Sequence, residues 1–149
     1  MFDYMSWVDR NWRLLGRFTD GHVALYRASH GLIGHRLPGA PPSLLLDHVG
    51  AKSGKLRTSP LVYALDGENV ILTASKGGYP RNPGWFYNLK ANPDTTIQIG
   101  SRRRPVHARV AKPAERKRLW PLVVSVYGGY EGYRRRTERD IPLVVLEPR

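Results

Sequence analysis

The chain contains no cysteine, which excludes thiolate catalysis, disulfide bonds and cysteine-based metal sites. Its five histidines form neither an HxH nor an HExxH pattern, so we expect no bound metal. No apolar run approaches the roughly 20 residues that are needed to span a bilayer. The N-terminus also lacks the apolar core and the cleavage site of a secretory signal. These absences predict a cytoplasmic protein whose chemistry uses neither sulfur nor zinc.

Acidic residues are scarce. The 149 residues include 12 Asp plus Glu against 24 Lys plus Arg, which gives a formal net charge of +12 and an isoelectric point near 10.5. The electrostatic field of so basic a protein attracts anionic partners. These could be nucleic acid, an acidic membrane surface, or a small ligand that carries phosphate and carboxylates. The length leaves room for one hydrophobic core, and the mean hydropathy of -0.44 is typical of a globular protein in water.

The hydrophobic pattern changes after a proline-rich break at residues 38–42. Before the break, residues 6–28 have the spacing of an amphipathic helix, with Ser6 as its N-cap. After it, the pattern predicts strands at residues 44–49, 56–65, 70–74, 95–99, 105–110 and 141–146, and helices at residues 84–91 and 113–126. Hairpin signals stand at Asp66-Gly67 and Gly100-Ser101. We therefore predict a helical segment over residues 1–37 and a small closed or half-open β-barrel with flanking helices over residues 38–149.

Two basic, glycine-containing segments flank the strands of the first hairpin. Residues 50–57 carry two glycines and three cations, and the N–H groups of such a turn can converge on an anion. Residues 73–78 combine hydroxyl groups, an ammonium group and two more glycines. A hairpin around Asp66-Gly67 brings both segments to the same end of the barrel, which is the pattern of a binding site. Taken singly, each segment is also typical of a solvated surface loop.

Two aromatic segments follow. Trp85, Phe86 and Leu89 have the spacing of a core helix, with Asn88 as the polar exception, and the N-terminus of this helix could help to hold an anion. Further along, a tyrosine stands at every third position of residues 127–133, but three glycines among them argue against a rigid helix. We predict a mobile lid over a flat substrate, with phenols that can donate a hydrogen bond or a proton. The alternative is an amphipathic cover on the barrel.

Together these segments resemble the deazaflavin-dependent nitroreductase family over residues 44–148. The resemblance rests on the order and spacing of GAKSG at residues 50–54, Arg57, Pro60, ASKGG at residues 74–78, NPGWFYNL at residues 82–89 and the three tyrosines. It implies a split β-barrel of the pyridoxamine-oxidase-like, FMN-binding fold. It also implies coenzyme F420, an 8-hydroxy-5-deazaflavin with a phosphate and an oligoglutamate tail, in preference to FMN. The basic composition suits a ligand with several negative charges.

The resemblance further implies which residues form the site. The anionic part of the cofactor would be held by Ala51, Lys52, Ser53, Lys55 and Arg57. The ring system would be lined by Thr58, Ser59, Pro60, Leu61, Val62, Thr73, Ala74, Ser75, Lys76, Gly84, Trp85, Phe86, Tyr87 and Asn88. The electron acceptor would be faced by Tyr63, Ser75, Tyr127, Tyr130 and Tyr133, of which Tyr130 would also touch the cofactor. Ser75, a tyrosine or water would protonate the product.

The implied function is hydride transfer from reduced F420 to an electron-poor acceptor such as a quinone, an enone or a nitroaromatic compound. The alternatives are an FMN- or haem-binding barrel and an F420 carrier with little turnover. Nucleic acid is not expected, because the aromatic residues are not interleaved with the basic runs on one sheet face. We expect a monomer or a homodimer. The N-terminal helix, with Trp7, Trp12 and Phe18 among arginines, would either rest on an anionic membrane or pack against the barrel.

Overall fold

The computed structural model describes residues 12–31, 35, 41–75, 81–136 and 140–149, without the side chains of residues 12–19, 133 and 136. The described helices are α1 (Trp12–Ala28), α2 (Gly84–Ala91), α3 (Pro113–Val126) and α4 (Gly129–Arg136). The described strands are β1 (Ser43–Val49), β2 (Leu56–Asp66), β3 (Asn69–Thr73), β4 (Asp94–Ile99), β5 (Arg102–Val110) and β6 (Leu143–Pro148). None of the described helices is long and apolar enough to cross a bilayer.

The strands form a closed antiparallel barrel in the order β1-β2-β3-β6-β5-β4, and pairing between β1 and β4 closes it. This confirms the predicted barrel with flanking helices. Both predicted hairpins are present, since Asp66 pairs with Asn69 and Ile99 pairs with Arg102 across two-residue loops. The strand bounds differ from the prediction by three residues or fewer, the largest differences being at β5 and β6.

One cluster of apolar side chains fills the barrel interior, because every second residue of each strand points inward. Its strand members are Leu44, Leu46, Tyr63, Val70, Leu72, Ile97, Val106, Ala108, Val144 and Leu146, and Ala74, the residue after β3, also belongs to it. Helix α2 contributes Trp85, Phe86 and Leu89 to the same cluster. The core interpretation of these three residues is therefore confirmed.

A second apolar cluster lies on the outer face of β2, β3 and β6 and is covered by α3 and α4. The predicted mobile lid is wrong for this segment, because residues 129–136 form a regular helix whose Tyr130 is buried in the cluster. Gly129 allows this packing, since a Cβ at that position would lie 2.5 Å from Cζ of Tyr127. The alternative reading, a helical cover on the barrel, is confirmed.

The C-terminal end of α1 packs on the barrel. Tyr26 is fully buried, its hydroxyl lies 3.0 Å from the carbonyl oxygen of Ser43, and the N–H of Gly100 donates to it over 2.8 Å. Beside it, Arg27 forms a 2.7 Å ion pair with Asp47. Ser6 and Trp7, the side chains of Trp12 and Phe18, and residues 36–40 lie outside the described residues. The division of the chain after residue 37 therefore stays a prediction.

Candidate active site

The basic turn (residues 50–57) joins β1 to β2 and contains three internal hydrogen bonds. Gly50 N–H donates to the carbonyl of Lys55 and Gly54 N–H to that of Gly50, each over 2.9 Å, while Lys55 N–H donates to Ser53 Oγ. Gly54 has a φ of 68°, which favours glycine, and a Cβ on Gly50 would lie 2.3 Å from Ser53 Oγ, so that side chain would have to move. These N–H groups are directed into the turn. That other N–H groups of the turn converge on an anion stays a prediction.

The side chains of Lys52, Lys55 and Arg57 are exposed on this turn together with Ala51. Within the described part of the chain none of the three cations forms a salt bridge. In contrast, acidic partners are held by Arg27, Arg103, Arg109, Arg118 and Arg134. The turn therefore presents uncompensated positive charge, which suits a ligand with phosphate and carboxylate groups.

A chain of hydrogen bonds connects the turn to the barrel interior. Ala51 N–H donates to Asn88 Oδ1, Asn88 Nδ2 lies 2.9 Å from His48 Nδ1, and His48 Nε2 lies 2.9 Å from Ser59 Oγ. Burial lowers the pKa of His48, and the positive charge of Arg57 lowers it further. Sequence reasoning did not single out His48. Its only sequence signal is its position in β1, two residues after the inward-facing Leu46.

The part of β2 that was expected to line the ring system alternates between the two faces of the barrel wall. Leu61 packs against the interior cluster, whereas Val62 packs against the outer cluster. On the outer face, the hydroxyl of Thr58 donates to Asp47 over 2.7 Å. A ligand on one face of β2 can therefore contact only every second side chain. The side chains on the inner face are Ser59, Leu61 and Tyr63, and those on the outer face are Thr58, Pro60 and Val62.

The residues of helix α2 face the barrel interior, the solvent and the basic turn. Trp85 and Phe86 lie in the barrel interior, Gly84 and Tyr87 are exposed, and Asn88 faces the basic turn. The interior positions of Trp85 and Phe86 let them support the site from beneath. A cavity of about 250 Å³ on the other side of the helix opens against β5, and of the predicted site residues only Phe86 lines it.

The tyrosines form a second group of predicted site residues. Tyr63, Thr73 and Tyr130 line one small cavity, with Val62 beside them. Burial raises the pKa of Tyr130 to about 12, against the opposing effect of a hydrogen bond with Thr73. The ring of Tyr127 stands edge-on to Tyr130, with 5.0 Å between the ring centres. The Tyr130 phenol is therefore protonated at neutral pH.

The other residues that were predicted near the acceptor include Tyr63 and Ser75, which the structure describes. Ser75 and Ala74 are buried at the end of β3, and the hydroxyl of Tyr63 lies 2.8 Å from His35 Nε2. Lys76 and the side chain of Tyr133 lie outside the described residues. Ser59 and Tyr63 are four positions apart on the inner face of β2, so the turn end and the tyrosine end of the site are separated by about 13 Å.

Comparison with known proteins decides the family. Residues 19–148 match the family model described as F420H(2)-dependent quinone reductase. The chain belongs to this family. It is 50% identical over 150 residues to an F420H(2)-dependent quinone reductase of Mycobacterium tuberculosis (strain ATCC 25618 / H37Rv), and the alignment covers 99% of each chain. The cofactor predicted from the resemblance, coenzyme F420, is therefore confirmed, as is the prediction of an F420-dependent oxidoreductase.

Solved structures agree with this family. The chain is 39% identical to an F420-H2 dependent reductase, FDR-A, with a TM-score of 0.66 over 71% of this chain and 94% of the other. A protein from Listeria innocua assigned as a pyridoxamine 5′-phosphate oxidase gives a TM-score of 0.51 at 11% identity, over 71% and 82% of the two chains. The second likeness shows the fold alone, and it confirms the predicted pyridoxamine-oxidase-like barrel. The family is described by quinone reduction, so reduction of nitroaromatic compounds stays a prediction.

Proposed function

We propose that this enzyme transfers a hydride from reduced F420 to a quinone. The observation that carries the proposal is the arrangement along β2 of an unpaired cationic turn at one end and a group of tyrosines at the other. A cofactor with an anionic tail matches that arrangement in charge. The name of the mycobacterial relative supports the choice of a quinone over the other electron-poor acceptors.

The donor set of the described residues fits the cofactor. Lys52, Lys55 and Arg57 offer full charges to the phosphate and the tail, because no carboxylate of the described chain neutralises them. We propose that Ser59 and Leu61 of β2, together with Ala74 and Ser75 at the end of β3, lie close to the ring system. We propose that Tyr63, Ser75, Tyr127, Tyr130 and Tyr133 surround the acceptor.

When bound, the reduced cofactor supplies a hydride rather than single electrons. The protein has to orient the two reactants and to stabilise the negative charge that develops on the quinone oxygen. We propose that a phenol hydroxyl of the tyrosine group donates a hydrogen bond to that oxygen. One proton from a hydroxyl group of the site or from water then completes the hydroquinone, so that two electrons and two protons enter the quinone.

Acceptor specificity is tested by mixing the enzyme with reduced F420 and one acceptor at a time without oxygen. The return of the visible absorbance of oxidised F420 reports turnover. We expect oxidation to depend on enzyme and to be faster with a naphthoquinone than with a nitroaromatic compound or an enone. Reduced FMN serves as the cofactor control. Binding of F420 without quinone-dependent oxidation would contradict the proposal and favour the carrier alternative.

The basic turn is tested by the double variant Lys52→Ala, Lys55→Ala. We expect the KM for reduced F420 to rise by about tenfold or more, since two charge-assisted contacts to the ligand are lost. The kcat should change by less than about twofold, because the turn lies away from the reacting atoms. The matched control is Lys117→Ala on α3. Its neighbour Arg118 pairs with Asp66 at the far end of β2, about 33 Å from the start of this strand. An equal rise of KM in the control would contradict the assigned position.

Location and assembly stay predictions. We propose a cytoplasmic monomer or homodimer, and peripheral contact of the N-terminal helix with an anionic membrane. The membrane contact would have to use residues before Tyr26, because the C-terminal end of α1 packs on the barrel.

A further inference from the structure

His48 is 4% exposed on the inner face of β1, and its two ring nitrogens have different partners. Nδ1 lies 2.9 Å from the side-chain nitrogen of Asn88, and Nε2 lies 2.9 Å from the hydroxyl oxygen of Ser59. Neither partner is charged. The imidazole is therefore one link in an uncharged chain of hydrogen bonds that ends on the basic turn.

The protonation state of His48 follows from the other end of this chain. The backbone N–H of Ala51 can only donate, so the Asn88 atom that lies 2.9 Å from it must be the amide oxygen. The amide nitrogen of Asn88 then faces His48, and that nitrogen can only donate. Nδ1 of His48 must accept. The ring hydrogen is thus on Nε2, which donates it to Ser59.

Protonation of His48 would break the chain. A hydrogen on Nδ1 would face the NH2 group of Asn88, and rotation of the amide by half a turn would direct that NH2 group toward the N–H of Ala51. In either case one donor would face another, and the contact between α2 and the turn would be lost. Arg57 on β2 disfavours the charged imidazole, Asp47 on β1 favours it to a smaller extent, and α2 presents the uncharged Asn88. Burial is the largest effect, and it also disfavours the charged form.

We propose that His48 and Asn88 are positioning residues for the anionic part of F420. The neutral His48 ring holds the Asn88 amide in one orientation, and this amide holds the basic turn against α2. Lys52 and Lys55 are thereby presented to the ligand in a fixed arrangement. The inference rests on the proposed role of the basic turn. It predicts that F420 affinity falls in acid, because protonation of His48 would release Asn88 and Asn88 would then release the turn.

Two variants of His48 separate this role from a general packing role. In His48→Asn, the side-chain oxygen occupies the position of Nδ1 and can accept from Asn88. In His48→Gln, the amide reaches the position of Nε2 and keeps only the contact with Ser59. Both replacements are polar and neither titrates. The dissociation constant of oxidised F420 is measured for each protein from about pH 5 to about pH 8, the range in which histidine changes its charge.

We expect wild type and His48→Asn to bind with affinities within about threefold of each other at neutral pH, and His48→Gln to bind about tenfold more weakly at every pH. As the pH falls, wild type should lose about tenfold more affinity than His48→Asn, because only wild type has a group that breaks the chain. Ionisation of the ligand is common to all three proteins, so differences between their profiles report His48. At each pH, the kcat at saturating reduced F420 should differ between the three proteins by less than about twofold.

The result that overturns the inference is a pair of parallel pH profiles for wild type and His48→Asn, or equal neutral-pH affinities for the two variants. If His48→Gln fails to fold, Asn88→Ala removes the same anchor and should give the same loss of affinity. The nitrogen chemical shifts of His48 are a further readout, and an Nδ1–H tautomer overturns the inference. If Lys52→Ala, Lys55→Ala leaves the affinity unchanged, the proposed site fails together with this inference. If that variant weakens binding while the two His48 variants behave alike, only this inference fails.

Discussion

Tyr26 shows how single polar residues are accommodated inside this protein. Its hydroxyl is hydrogen-bonded to backbone atoms of Ser43, Gln98 and Gly100, which are distant in sequence and adjacent in the barrel. In the described part of the chain, every buried side-chain nitrogen or oxygen has a partner. A buried hydroxyl with such partners stabilises the fold mainly by keeping their desolvated groups satisfied.

We expect Tyr26→Phe to lower the free energy of unfolding by about 1–3 kcal/mol, because the N–H of Gly100 would lose its acceptor in a partly buried position. Urea unfolding followed by circular dichroism measures the change. The matched control is Tyr87→Phe, since Tyr87 is 48% exposed and should change stability by less than about 0.5 kcal/mol. Equal effects of the two substitutions would show that the buried hydroxyl contributes nothing specific.

The candidate site could be predicted from the sequence only where its residues are local. The basic turn and α2 were found because their residues are close together in the chain and carry turn or helix signals. The His48–Asn88 contact was not found, because it joins residues 40 positions apart and neither has an unusual neighbour in sequence. The lining of the ring system by residues 58–62 of β2 stays a prediction, and the alternation of strand side chains divides these residues between two faces.

Among the elements, α4 differs most from the structure that its sequence predicted. Glycine has low helix propensity, and three glycines in residues 128–132 predicted a loop. The helix forms because Tyr130 is buried between α3 and the outer face of the barrel. Tertiary packing overrides intrinsic propensity here. In contrast, α2 and α3 begin and end at the residues that the sequence predicted, since prolines mark their boundaries and apolar residues their buried faces.

Two glycines of α4 provide a matched test of this packing. We expect Gly132→Ala to raise the free energy of unfolding by about 0.5–1 kcal/mol, because nothing lies within 4 Å of the added methyl group. Gly129→Ala should instead displace the ring of Tyr127 from Tyr130 and lose about 0.5–1.5 kcal/mol of aromatic pairing. Thermal or urea unfolding measures both. A gain of stability in Gly129→Ala equal to that in Gly132→Ala would refute the role of the ring contact.

For the molecule as a whole, the excess of positive charge is unevenly compensated. Arg109 on β5 binds Glu115 of α3 through two contacts of 2.6 and 2.9 Å, and it binds Glu147 of β6 at 3.0 Å. This network connects three elements away from the basic turn. Hydrogen bonding to Arg109 holds the pKa of Glu115 below its ordinary value. Among the described residues, Lys52, Lys55 and Arg57 of the basic turn have no acidic partner, whereas Arg109 links three elements of the fold.

The lowered pKa of Glu115 sets the direction of a pH effect. A carboxyl group whose pKa is lower in the folded state stabilises the fold above its ordinary pKa, and the contribution is lost as the pH falls through the folded-state value. We therefore expect Arg109→Gln to lower the free energy of unfolding at about pH 7, and the difference from wild type to shrink at about pH 3. Arg135→Gln, which removes the same charge from an exposed position on α4, is the control. A difference that is constant with pH would contradict the assignment.

The pairing that closes the barrel is short, since β1 and β4 are paired at only two positions, Leu45 with Gln98 and Leu46 with Ile97. Side chains reinforce this seam. The hydroxyl of Thr95 on β4 donates to the carbonyl of Asp47 on β1, and Tyr26 contacts the carbonyls of Ser43 and Gln98 on the two strands. Helix α1 therefore stabilises the contact between β1 and β4 through Tyr26. We expect local opening to begin at this seam, because only two residue pairs join β1 to β4, and amide hydrogen exchange in the two strands would report it.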